Sequence, residues 1–211
     1  MRAVGLDLAG SKTRTTGFCL LDENLHSQTK ALYEDAEVVS ETVAASPGVV
    51  SIDAPLSLPR GRPSLSRRGP PHFRACDLEL RRMKIRFFPI TLGPMRKLTA
   101  RGIKMKKVFE SKGLRVIESY PGSIQDLLGM PRKQAGVEKL RTALIHYGVT
   151  GDIRKPVITH DELDAITSAL VGKMYLEGNY QAIGDPDEGL MILPPSHPAG
   201  LGMRLLEQSK L

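Results

Sequence analysis

The sequence predicts a mixed α/β fold. Two observations carry that reading. Three short segments near the N-terminus alternate or run apolar and are joined by tight turns, the pattern of an antiparallel meander. The later apolar runs are separated by stretches of helical period, the pattern of parallel strands with helical crossovers. No repeat or low-complexity tract interrupts the pattern.

Taken in order, Ala3 to Leu8 is a short apolar run that reads as a buried strand. "GSKTR" is turn-like, and Thr15 to Leu21, rich in β-branched and apolar residues, is a second strand. "DEN" makes a tight turn into a third strand from His26 to Tyr33. Glu34 to Ala45 is a helix ended by "SPG", and "VVSIDAP" is a buried strand that stops at Asp53. The character then changes: "PLSLPRGRPSLSRRGPPHF" is a long loop of Pro, Arg and Ser. Helices follow at Arg74 to Met83 and at Met95 to Lys112, the latter with Leu98, Met105, Val108 and Phe109 as its buried stripe. Leu114 to Ser119 is a strand ending in "ESYPG"; "SIQDLLG" and Gln134 to Tyr147 are helical. "THDELDAITSALVGKMYLEG" is the clearest helix. Thr159 and Glu162 fit a capping box, Leu163, Ile166, Leu170 and Met174 form a stripe, and Gly178 is a stop. "QAI" and "LMIL" are short strands, followed by a Pro-rich tail from about residue 194.

The length of 211 residues fits one domain, 1–211, with a basic loop and helix insertion at about 56–112. Hydrophobic residues make up 41%, enough for a core, but aromatics are 5% and Trp is absent, so that core is aliphatic. Cys19 and Cys76 lack metal-ligand spacing and read as reduced thiols of a cytoplasmic protein. No apolar run is long enough to span a bilayer. Between Arg60 and Lys112 lie sixteen basic and three acidic residues, in a chain whose net charge is only +7. Charge so segregated is the footprint of a polyanion-binding surface, or of a solvated basic helix.

Acidic residues recur where strands end or a helix begins. Asp7 lies inside the first strand, Asp53 ends the fourth, Glu118 is near the end of the fifth, and Asp161 and Asp164 open the long helix. Each has an ordinary reading: Asp7 paired with a base such as Lys12, Asp53 in an Asx turn, Glu118 a strand-end acid, Asp161 and Asp164 complementing the helix dipole. Together they have another. Carboxylates brought to one sheet edge repel, and a hard divalent cation, Mg²⁺ or Mn²⁺, removes the conflict. Such ions stabilise the attacking and leaving oxygens of a phosphodiester.

"VGLDLAGSKTRTTGFCLLDE", "VVSIDAPLSLP", "RACDLELRR", "VIESYPGSIQDLLG" and "HDELDAITSAL" together resemble the DUF429 family of predicted nucleases, from Val4 to about Pro194. The resemblance implies a ribonuclease H-like fold: a five-stranded sheet of order 3-2-1-4-5 flanked by helices. It implies a metal-binding carboxylate cluster of Asp7, Asp53 and Asp164, with Asp161 a possible further ligand and Glu118 beside them. It also places Arg74, Asp77 and Arg81 by the site. Lys12, Arg74 and Arg81 are then candidate phosphate contacts, and the activity implied is metal-dependent cleavage of nucleic acid, DNA or RNA, tracked by the segment Arg60 to Lys112. The chain departs from better-known ribonuclease H enzymes in having no recognisable Glu on its first helix, where Glu34, Glu37 and Glu41 are available. Two rivals stand beside this reading. "DLAGSKTR" approaches the phosphate hairpin of actin-like sugar kinases, which makes an ATP-binding phosphotransferase an alternative, though no second glycine-rich loop is visible. A non-catalytic nucleic-acid binder would need only the basic segment. No G-x-S-x-G motif occurs, and His160 reads as a helix-start residue.

Overall fold

The first three strands, β1 (Ala3–Asp7), β2 (Thr16–Leu21) and β3 (His26–Leu32), form the expected meander, each pair antiparallel. β4 (Val49–Asp53) lies parallel to β1, and β5 (Val116–Ser119) parallel to β4. The five therefore stand in the expected order 3-2-1-4-5, but the sheet is wider. β6 (Thr150–Gly151) adds to β3, and the hairpin of β7 (Gln181–Asp185) and β8 (Gly189–Leu193) adds to β5. The result is eight strands in the order β6-β3-β2-β1-β4-β5-β8-β7. This computed structural model describes residues 1–11 and 13–195, so Lys12 and the Pro-rich tail past residue 195 lie outside the described residues.

Helices cover both faces. Alternation along the strands sends Val4, Leu6, Val50 and Ile52 to one side, where they pack with Met105 and Phe109 of α3 (Gly93–Glu110) and Val38 of α1 (Asp35–Ala45). Cys19 and Leu21 pack on the other side with α5 (Val137–Tyr147) and α6 (His160–Leu176). Ala3, Val49 and Ile117 face that side too, with Ile124 of α4 (Pro121–Leu127) and Val171 of α6. α2 (Ala75–Arg82) covers the β7–β8 hairpin through Cys76 and Leu80. The basic segment is thus no appendage: α3 is the crossover from β4 to β5 and closes one face. Of the expected stripe, Met105 and Phe109 are buried and Leu98 and Val108 only partly so, and Thr99 and Gly102 complete the buried face. The approach is closest at Gly102, where a Cβ would lie 2.8 Å from both Ala54 Cβ and Pro55 O.

α6 is buried almost all round, from Glu162 to Gly172, and its capping box is formed: Thr159 Oγ1 accepts from Glu162 N–H, and Glu162 accepts from Thr159 N–H. It can lie this close because β1 and β2 present glycine beneath it. A Cβ on Gly5 would stand 2.0 Å from Ala165 O, and one on Gly17 would stand 1.9 Å from Asp161 O. Both obstacles are backbone, which cannot swing aside. Gly17→Ala is therefore expected to cost about 1–3 kcal/mol through overpacking, measured as a lower urea midpoint with an unchanged slope. Burial holds both Cys19 and Cys76 thiols protonated, well above the ordinary thiol range. Among the described residues no helix is long and apolar enough to cross a membrane.

Candidate active site

The carboxyl edges of β1, β4 and β5 open into a cleft of about 760 Å³. Register decides which side chains share it. Asp7 of β1 is paired with Asp53 of β4, and Asp53 with Ser119 of β5. Neighbouring strands lie about 4.8 Å apart, so these three stand in a row on the α6 face of the sheet. On the other side of Asp7 its partner is Gly17, against which Asp161 is seated. Asp161 thus enters the cleft beside the pair, accepting a hydrogen bond from Thr15 Oγ1. Ser119 Oγ is buried and has no hydrogen-bond partner among the described residues, although it lines the cleft next to Asp53.

Of four other expected members, Glu118 and Arg74 line the cleft but are taken up by each other, and Asp164 and Arg81 do not line it. Glu118 is paired with Ile52, one residue out of step with Asp53, so its carboxylate is on the opposite sheet face. There it accepts from Leu56 N–H at 2.7 Å and from both terminal nitrogens of Arg74, each at 2.7 Å. Arg74, expected to grip a phosphate, is only 1% exposed and also donates to both oxygens of Asp77. Burial opposes its charge, but the Glu118 and Asp77 carboxylates outweigh that and hold the guanidinium protonated well above its usual range. This trio fixes the turn that follows Asp53; it is scaffolding. Asp164 does not line the cleft. It is 3% exposed, one turn below Asp161, and its Oδ1 accepts from Gln125 Nε2 at 2.8 Å. Arg81 lies outside as well, its guanidinium 4.2 Å above the Phe73 ring in a neighbouring groove.

Besides Arg74, which its carboxylate partners occupy, the cations that line the cleft among the described residues are Arg14 and Lys97, both exposed. Neither was singled out by the motifs. Lys97 arrives because the first turn of α3 abuts the β1–β2 turn: a Cβ on Gly10 would meet Pro94 O at 3.5 Å and Leu98 at 3.7 Å. Arg101, one turn on, locks that contact, donating to Ala9 O at 2.6 Å and to Asp35 Oδ1 at 2.9 Å. Partial burial raises the Asp35 pKa, but hydrogen bonds from Lys104 and Arg101 bring it below the ordinary carboxylate range. A carboxylate depressed in the folded state stabilises above its unfolded pKa and ceases to do so as pH falls through the folded one. Asp35→Asn is therefore expected to cost up to about 1 kcal/mol at neutral pH and to flatten the loss of stability below about pH 4, read by urea unfolding across pH 2.5–7.

What can the row hold? Among the described residues no group of three His, Cys, Asp or Glu side chains forms a ready metal cage. Two adjacent carboxylates are a different case. Mg²⁺ keeps several waters and is commonly held by one or two carboxylates together with substrate phosphates. Asp7 and Asp53 fit that mode, and the orphaned Ser119 hydroxyl supplies a further oxygen beside them.

The chain matches no family model, and no curated protein matches it. Among solved structures it is similar to Thermus thermophilus RuvC in complex with a Holliday junction substrate, with a TM-score of 0.50 at 13% identity over 84% of this chain and 96% of that one. A further Thermus thermophilus RuvC structure gives a TM-score of 0.47 at 12% identity over 84% of this chain and 97% of that one. The likeness is one of fold: the ribonuclease H-like class expected from the sequence is the architecture of this chain, with a wider sheet.

Proposed function

We propose that this chain is a metal-dependent nuclease, hydrolysing phosphodiester bonds of nucleic acid with Asp7 and Asp53 as ligands of a Mg²⁺ or Mn²⁺ ion. The observation that carries this reading is the parallel register of Asp7 and Asp53 at the mouth of a cleft that also receives Asp161. When bound, the ion supplies charge stabilisation at the phosphoryl oxygens and eases deprotonation of water. The chain's own residues do the rest. Arg14 and Lys97 attract the phosphate backbone to the cleft. Asp161, oriented by Thr15, stands ready to accept a proton from water at the reacting phosphate. The Arg74–Glu118 pair keeps the turn after Asp53 in place. Membership of the DUF429 family belongs to the same proposal. The RuvC structure that shares the fold holds a Holliday junction, which supports a nucleic-acid substrate here.

Incubating the purified chain with labelled single-stranded, duplex and branched oligonucleotides tests this. Cleavage is expected with Mg²⁺ or Mn²⁺ and none with a chelator. Thermal stabilisation by ATP without cleavage would favour the phosphotransferase instead. Salt-sensitive binding indifferent to chelation, again without cleavage, would favour a non-catalytic binder.

A further inference from the structure

Beside the cleft lies a second, open groove of about 1160 Å³. Phe87, Phe88, Tyr120 and Gln134 line both, so the two are continuous. Of the five phenylalanines in the chain, three, Phe73, Phe87 and Phe88, line this groove. Phe88 is 68% exposed, although burying a phenyl ring would be favourable by about 2 kcal/mol. Phe73 and Phe87 meet edge to face at 6.0 Å, Arg81 covers the Phe73 ring, and Arg132 stands 5.9 Å from the centre of Tyr120. The groove carries four cations, Arg81, Lys84, Arg86 and Arg132, against one acid, Asp126, which Arg132 already binds. Arg81, Lys84 and Arg86 are exposed.

Flat apolar rings interleaved with guanidinium groups match one class of ligand: a polyanion that also offers flat faces. Duplex stacks its bases inside and offers phosphates and base edges but no free base face, whereas an unpaired strand offers both phosphates and base faces. We propose that this groove binds an unpaired nucleic-acid strand, Phe88 stacking on a base while Arg81, Lys84 and Arg86 follow the phosphates, and leads it past Tyr120 to the Asp7–Asp53 cleft. The direction of travel rests on the nuclease reading of that cleft; the binding does not.

The test is fluorescence anisotropy with a labelled 12-nucleotide single strand and the matching blunt duplex, both in EDTA so that no cleavage is required. The single strand is expected to bind at least about tenfold tighter. Phe88→Leu, which keeps an apolar side chain but removes the ring, is expected to weaken single-strand binding by about tenfold, leave duplex binding unchanged, and be rescued by Phe88→Trp. Arg81→Ala with Arg86→Ala should reduce the slope of log affinity against log salt by about 1.4. The proposal is overturned if duplex binds as tightly as single strand, if Phe88→Leu has no effect, or if polyglutamate of equal charge competes as well as the strand, since charge alone would then suffice. Loss of binding in Phe88→Leu with no cleavage by any form would leave the groove assigned and remove the nuclease. Cleavage with unaltered binding would do the reverse.

Discussion

Arg74→Met is expected to destabilise the protein by about 3–5 kcal/mol. Arg74 is the largest of the fully buried side chains, and its guanidinium satisfies two carboxylates, Asp77 and Glu118, that are themselves 3% and 5% exposed. Removing the cation leaves both anions away from water without their partner, which costs far more than the ion pair contributes relative to an apolar replacement. Two consequences separate this from a simple loss of packing. Adding Glu118→Gln to Arg74→Met should recover part of the deficit, because one of the stranded charges is gone; independent effects would instead add. The double variant should also loosen the turn at Leu56, whose N–H is held by Glu118, so protection of that amide from hydrogen exchange should fall more than protection of β1. Equal stability of Arg74→Met and the parent in urea would remove the trio as scaffolding.

Arg74 also marks where the sequence was readable and where it was not. Local patterns carried the elements: the capping box of α6, the meander turns and the end of β4 at Asp53 all depend on neighbours within a few residues. β6, two residues long, has no period to detect. Asp7 and Asp53 were legible because an acid at the end of an apolar strand is conspicuous. Glu118 was misplaced for a reason of parity. Nothing in the sequence states that Asp53 aligns with Ser119 rather than with Glu118, and a shift of one residue moves a side chain through the sheet. Charge was the other blind spot. The run from Arg60 to Lys112 suggested a continuous basic surface, yet several of its members are turned inward. Arg62 donates to the carbonyls of Arg67, Gly69 and Pro71 and so orders the Pro-rich loop. Arg74 binds Glu118, and Arg101 binds Asp35 and Ala9 O. A count of basic residues cannot separate those that meet solvent from those that tie the chain together. The groove around Phe88 was illegible for a third reason: its rings and cations are drawn from residues 73–88, 120 and 132, which only the fold assembles.

Asp7→Asn is expected to abolish metal-dependent cleavage, a fall of at least about a thousandfold, while the far-ultraviolet circular dichroism spectrum stays that of the parent. The ion is proposed to rest on two carboxylates and no third, so each carries a large share of its charge. An amide of the same shape retains one oxygen but not the negative charge, so the cation is left with a single carboxylate and is held far more weakly. Asp53→Asn should be equally damaging, since register makes the two equivalent neighbours. Asp161→Asn should cost less, because its place is fixed by Thr15 and by the seat on Gly17 and its role is with the proton. Thermal unfolding with Mn²⁺ gives a readout independent of turnover. Ligand binding to the folded state raises the midpoint by mass action, so Mn²⁺ should stabilise the parent and Asp161→Asn but neither Asp7→Asn nor Asp53→Asn. A midpoint shift that survives both latter substitutions would locate the cation elsewhere, and full cleavage by Asp7→Asn would end the two-carboxylate account of this cleft.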